Sequence, residues 1–299
     1  MNSSVFDFLV SAVPGDSDAL DVPAALTRHR ALAADFPNSL DRAVIAGFDS
    51  AGTGSAFLGG YQEALRALVP ALDPADLVSM CATEAGGGRP SAIETTVSED
   101  ALVTGTKSFA TLGTFATRFL VIARAGERAD GKPSLRAVLV PAGAAAVVTP
   151  LPELPFAPEI PHASVEFTAA PGEVLCGDGY ADYLKPFRTV EDVHVLAAVL
   201  GQLLRVARQA HWPAEAVEQL LAVFAAVRGL GGENPASAGV HIALGGVFDR
   251  LTRLRADQEP LWERVDPAVR SRWERDAPLL GVAGKVRAAR LRAAWASLA

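Results

Sequence analysis

The apolar residues of this chain change period twice. Between 76 and 178 they fall in short runs rich in β-branched side chains, cut by Gly and Pro. On either side they recur at helical spacing over longer stretches. Patterning that segregates in this way specifies an α+β chain. The expected order is a short helical N-terminal domain over 1–75, a middle antiparallel β domain over 76–178 and a C-terminal helical bundle over 179–299.

In the first region, helical spacing covers Asp16 to Arg30 and Asn38 to Gly47, with Asp or Ser near the starts. A glycine-rich break at 51–54 precedes a further helix from about Ser55 to Val69, which Pro70 stops. Strands are expected over Val78 to Thr83, Ile93 to Val97, Ala101 to Phe109, Phe119 to Arg124, Leu135 to Val140 and Ser164 to Phe167, with Ser98-Glu99-Asp100 turning between two of them. The helical period returns from about Leu184. Arg188 to Trp212 reads as one long helix, Pro213 starts another that ends near Gly229, a third surrounds Ala236–Asp257, and the last runs from about Leu279 to Leu298.

Half of the 299 residues are hydrophobic but only 7% are aromatic, so the core must be built mainly from Ala, Leu and Val. A net charge of −7 argues against a nucleic-acid partner. Two cysteines, Cys81 and Cys176, supply no disulfide framework and no metal cluster, so a reducing, cytoplasmic setting is expected. The opening Met-Asn-Ser-Ser has no basic, apolar leader character, and no apolar run approaches the roughly 20 residues of a membrane span. Neither a signal peptide nor a membrane partner is expected.

Two segments of the β region carry chemistry. One runs Ala82-Thr83-Glu84-Ala85-Gly86-Gly87-Gly88; the other runs Gly105-Thr106-Lys107-Ser108-Phe109-Ala110-Thr111, with Gly113 just beyond. Alone, each reads as ordinary strand and turn. Together, and between two helical regions, they resemble the middle domain of the acyl-CoA dehydrogenases, whose domain order also matches most of the chain. The resemblance implies FAD as cofactor, with both segments walling its ring. Met80 and Ala82 would supply backbone contacts. Thr83 and Thr111 would offer a hydroxyl and a backbone N–H to the ring's polar edge. Phe109 stands where the family usually has Trp, and can stack but not donate. The implied reaction is oxidation of the α,β-bond of an acyl thioester, and the implied assembly is a homo-oligomer through the C-terminal bundle. The alternative is a non-catalytic homologue that serves as a partner or scaffold subunit.

The family removes the substrate's α-proton with a glutamate. Most members carry it in a late loop, which nothing here resembles; a minority carry it at the start of the first helix of the bundle. Aligning Gly201 with the glycine of that helix places Glu191 on the minority position. Asp192 beside it would raise the pKa of one of the pair, which suits a base acting at neutral pH. The same residues also fit a capping box, with Thr189 as N-cap and Asp192 three positions on. His194 reads as a packed or surface histidine.

Departures from the family affect other sites. Ala85 replaces the usual Pro, and Arg89-Pro90 replace a Ser-Asp that helps bind a phosphate-bearing ligand. Arg89 could hold such a phosphate by a charge-assisted bond, or be a solvated turn residue. The family's arginine and aromatic that clasp the FAD pyrophosphate and adenine across a subunit interface lack a counterpart of the right spacing. Arg205, Arg208, Phe224 and Arg228 are the nearest offers, so the adenine end is expected to be degraded. Gly52 and Gly54 follow no strand and are not a dinucleotide fingerprint. In the basic last segment, Lys285 and Arg292 share one helix face while Arg287 and Arg290 lie opposite, which reads as two solvated edges.

Overall fold

The structure, a computed structural model, describes residues 4–14 and 21–298. It divides into two compact units. One comprises Met1–Ala67, Pro155–Ala157 and Thr189–Ala299; the other comprises Leu68–Leu154 and Pro158–Arg188.

The first unit is helical. Its elements are α1 (Val5–Ser11), α2 (Val22–Ala33), α3 (Ser39–Phe48), α4 (Thr53–Leu68), α5 (Lys185–Gln209), α6 (Ala214–Leu230), α7 (Ala238–Asp257), α8 (Pro267–Asp276) and α9 (Gly284–Ala296). Short polar side chains open several of them. Asp21 accepts from the Ala24 amide at 2.8 Å, and Asn38 from the Leu40 amide at 2.8 Å. Residues 16–20 of the first expected helix lie outside the described residues; the rest of it begins at Val22. Neither α1 nor α8 was marked by the sequence pattern. The last helix starts at Gly284 rather than near Leu279, because a separate 3-10 turn over Ala277–Gly281 contains Pro278.

One core joins α1, α3, α5 and α6. Leu9 of α1, Leu40, Val44 and Phe48 of α3, Leu196, Leu200 and Leu203 of α5, and Leu220, Phe224 and Val227 of α6 are all buried in it. Three tryptophans close one end: Trp212 meets Trp262 edge-on at 5.6 Å, and Trp262 stacks on Trp273 at 5.1 Å. Two glycines set the closest approach. A Cβ at Gly47 would lie 1.7 Å from the Ala198 carbonyl oxygen, and one at Gly201 would lie 2.0 Å from that of Val44. The backbones of α3 and α5 therefore touch, which any side chain at either position would prevent.

The start of α5 corrects the capping-box reading. A π-helical turn over Gly179–Leu184, capped by Asp178 on the amides of Tyr180 and Ala181, leads straight into a helix that begins at Lys185. Thr189 therefore lies inside the helix. Its hydroxyl pairs with His241 Nε2 at 3.3 Å instead of an amide of the first turn.

The second unit is a curled sheet of β1 (Val78–Cys81), β2 (Thr96–Val97), β3 (Leu102–Thr111), β4 (Arg118–Glu127), β5 (Pro133–Pro141), β6 (Ala146–Pro150), β7 (His162–Pro171) and β8 (Glu173–Val174). Strand order is β6-β7-β3-β2-β4-β5-β8, with β1 beside β4. Most pairs are antiparallel, but β1 and β2 both run parallel to β4, so the sheet is mixed rather than antiparallel throughout. Alternation fixes which face a residue takes and carries no information on strand direction. The expected turn is present. Ser98 to Ala101 closes the β2–β3 hairpin, with Ser98 N–H donating to the Leu102 carbonyl at 3.0 Å. Phe119 packs edge-on against Phe167 at 5.7 Å in a core with Val103, Val121, Val138 and Val165. No helix among the described residues is long and apolar enough to cross a membrane.

Candidate functional site

Beyond β1 the chain passes through buried Ala82 to Thr83, which forms an antiparallel bridge with Phe109 of β3. The Ser108 amide donates to the Thr83 carbonyl at 2.9 Å, and Ser79 Oγ of β1 donates to the Thr111 carbonyl at 2.6 Å. The two motif segments thus lie side by side in one unit. Met80 is buried within β1. The Thr83 and Thr111 side chains are half-buried, and neither hydroxyl makes a hydrogen bond among the described residues. Phe109 is an exposed large apolar side chain, at 39%. A register shift between Lys107 and Ala110 turns it outward while its neighbours on β3 alternate into the core.

His162, at the start of β7, was not singled out from the sequence. It stands opposite Thr111 in register, and its ring lies 4.3 Å from that of Phe109 at 34°. Burial pushes its pKa down, opposed by a backbone hydrogen bond at Ile160, so the imidazole is held toward its neutral form. The two rings stack on each other, so Phe109 is the exposed aromatic face and buried His162 backs it. After Thr83 the chain turns at Glu84–Gly87, with hydrogen bonds in both directions between those two residues. Arg188 Nη2 donates to the Gly88 carbonyl at 3.2 Å. Arg89, next in the chain, is exposed. An exposed aromatic ring, two disengaged hydroxyls and an adjacent glycine turn make up the candidate site.

Beneath this surface is an ion pair that the motif contained but the sequence reading gave no role. Lys107 is fully buried and donates to Glu84 Oε1 at 2.6 Å and to the Ile122 carbonyl at 2.7 Å. Glu84 also accepts from the amides of Glu94 at 2.8 Å and Thr95 at 3.1 Å. Burial alone would push the Glu84 carboxyl up, but the Lys107 ammonium and the Glu94 amide outweigh it and hold the carboxyl below its usual range. Burial lowers the Lys107 pKa in spite of Glu84. The neighbouring Cys81 thiol is pushed up to about 12 by burial and is inert as a nucleophile at neutral pH.

The other sequence candidates lie in the helical unit. Glu191 is half-buried on α5. The carboxylate of Asp192, next in the chain, receives Arg287 at 3.1 Å and also Arg290, both from α9. That pairing also corrects the reading of Arg287 and Arg290 as a solvated edge. His194 is buried, with Nδ1 at 2.7 Å from the Val190 carbonyl and Nε2 at 2.8 Å from Ser39 Oγ. The arginines nearest to a pyrophosphate clasp are occupied within the unit. Arg205 donates to the Phe48 carbonyl, Arg208 to those of Leu9 and Ala12, and Arg228 grips Asp41 with two hydrogen bonds of 2.6 and 2.9 Å. Phe224 is sealed in the core against Phe6. No group among the described residues could hold a metal ion.

Solved structures share this architecture. Butyryl-CoA dehydrogenase from Megasphaera elsdenii matches with a TM-score of 0.66 at 15% identity, over 92% of this chain and 87% of that one. The fold is acyl-CoA dehydrogenase-like. The same fold relates the chain to the prolyl acyl carrier protein oxidase AnaB, with a TM-score of 0.68 at 13% identity over 96% of both chains. It also relates it to the FAD complex of PigA, with a TM-score of 0.67 at 11% identity over 97% of this chain and 95% of that one. No protein-family model and no curated protein sequence matches the chain.

Proposed function

We propose that the protein is a flavoprotein that oxidises the α,β-bond of an acyl thioester. The observation that carries this reading is the Thr83–Phe109 bridge, with two disengaged threonine hydroxyls and an exposed aromatic face beside it, on an acyl-CoA dehydrogenase-like fold. Two of the similar structures are named for thioester chemistry, one on butyryl-CoA and one on a prolyl acyl carrier protein.

The chain's own residues hold and orient. Phe109, backed by His162, offers the stacking face, Thr83 and Thr111 donate to the polar edge of the ring, and Met80 and Ala82 supply backbone along and just after β1. A flavin held there would supply the acceptor for a hydride from the β-carbon. Glu191 takes the α-proton onto its carboxylate. Arg89, exposed after the glycine turn, offers a charge to a phosphate on the substrate's carrier arm. Val286 and Trp295 of α9 and Val282 just before it are exposed, which supports a homo-oligomer through the C-terminal bundle. A monomer by light scattering would remove that part.

The test begins with the purified protein's visible spectrum and with titration by FAD and FMN, read as quenching of flavin fluorescence. With cofactor bound, butyryl-CoA and longer acyl thioesters should reduce an artificial acceptor. Glu191→Gln should slow turnover by roughly 10²-fold with no shift in Tm. A second reading is favoured by the internal occupation of Arg205, Arg208 and Arg228: a non-catalytic homologue that pairs with another subunit. Colourless protein that takes up neither flavin would select it.

A further inference from the structure

The buried pair Glu84–Lys107 lies directly behind the candidate flavin face. Four chain segments meet at it: the exit of β1 at Glu84, the approach to β2 at Glu94 and Thr95, β3 at Lys107, and β4 at Ile122. Every side-chain hydrogen bond of the pair runs between different segments. Thr83 is the chain neighbour of Glu84, and Ser108-Phe109 follow Lys107. Thr83 and Phe109, which bridge side by side at the candidate face, therefore each lie within two residues of a member of the pair. Along an extended chain successive side chains point to opposite sides, so Glu84 points inward while Thr83 can present its hydroxyl outward.

Stability gives little reason for such a pair, since buried ion pairs are often no better than apolar residues of the same volume. Geometry gives a reason. The register shift on β3 begins at Lys107 and turns Phe109 outward; without a fixed point there, the bulge could migrate by a residue and bury Phe109. We infer that Glu84 and Lys107 are positioning residues that act through Thr83 and Phe109. They hold the two hydrogen-bonded segments of the flavin face in one register, and so set flavin affinity. This inference rests on the flavin reading above.

The experiment compares wild type with Glu84→Gln, Lys107→Met, the double variant, and Glu84→Asp, which keeps both charges but shortens the reach. Each of the first two single variants leaves one buried group without its partner and should melt earlier. The double variant should recover much of that loss. It should nonetheless bind FAD about tenfold more weakly, the scale on which outer supporting partners tune a bound group. Glu84→Asp should weaken FAD binding with a smaller change in Tm, which keeps the comparison open if the double variant does not fold. A double variant, or Glu84→Asp, that melts like wild type and binds FAD with unchanged Kd would overturn the inference and leave the flavin reading standing. If wild type binds no flavin, the flavin reading fails by itself, and amide exchange in the apo protein decides the positioning role. The Ser108, Glu94 and Thr95 amides should exchange at least about tenfold faster in the variant while the β4–β5 amides stay protected. Equal protection of the three would refute it.

Discussion

Two buried histidines should make the helical unit sensitive to acid well above the range where carboxylates titrate. His29 of α2 is sealed from solvent, neither ring nitrogen has a hydrogen-bond partner, and burial lowers its pKa to about 4, opposed by Asp49 and reinforced by Arg28. His194 of α5 is lowered to about 4 by burial as well, opposed by the Val190 carbonyl. The unfolded chain takes up these protons near 6.5, whereas the folded chain resists them until about 4. Stability is therefore complete above pH 6.5 and is lost as pH falls through this window. At about 1.4 kcal/mol per pH unit, each histidine removes about 2 kcal/mol by pH 5, and the two together about 4. That is a large part of the roughly 5–15 kcal/mol that holds a typical domain folded. Urea unfolding followed by far-UV circular dichroism at pH 7, 6, 5 and 4 measures the loss. His29→Leu and His194→Leu should each remove one proton from the slope, whatever they do to stability at pH 7. A wild-type midpoint that is the same at pH 7 and pH 5 would refute the reasoning.

Other consequences concern packing and pairing. Gly201→Ala puts a methyl group 2.0 Å from the Val44 carbonyl oxygen, so α3 and α5 must separate, and thermal unfolding should show a loss of about 3 kcal/mol. Asp192→Ala strands Arg287 and Arg290 against a buried face of α5; calorimetry should find about 3 kcal/mol lost, far more than the roughly 1 kcal/mol of a helix cap.

The order of elements was legible in the sequence because each region's apolar residues keep one period for tens of residues. Asn38 and Pro213 marked helix starts within a residue. What escaped were features that depend on partners distant in the chain. The parallel pairing of β1 with β4 spans residues 78 to 121, and nothing local to either strand encodes it. The capping-box reading of Thr189 failed because an equally good acidic cap, Asp178, lies eleven residues earlier and an unusual π turn carries the helix forward from it. That the Thr83 and Phe109–Thr111 segments belong together was legible from motif order, and the fold pairs them. His162 was not, since its only signal is a register with Thr111 across the sheet. Glu84 and Lys107 stood in plain view within the motif, yet charged residues next to a glycine turn read as solvated until their burial is known.

The arginines of α5 and α6 lead to a last prediction about the cofactor. Helix C-termini leave carbonyls without partners. Arg208 serves those of Leu9 and Ala12 at the end of α1, and Arg205 serves that of Phe48 at the end of α3. Arg228 neutralises Asp41, which is itself buried near the start of α3. Turning any of them toward a pyrophosphate would leave a buried acceptor or carboxylate without its donor, a cost of about 1–3 kcal/mol that a solvated phosphate contact would hardly offset. These side chains are thus committed to holding the N-terminal helices on the bundle, and they add nothing for the adenylate half of FAD. Under the proposed flavin reading, with these arginines giving nothing to the adenylate, FAD and FMN should bind with dissociation constants within about threefold, less than 1 kcal/mol apart. Parallel fluorescence titrations of the apo protein measure both. FAD binding more than about tenfold tighter than FMN would mean that other residues hold the adenylate, and the argument from these arginines would fall.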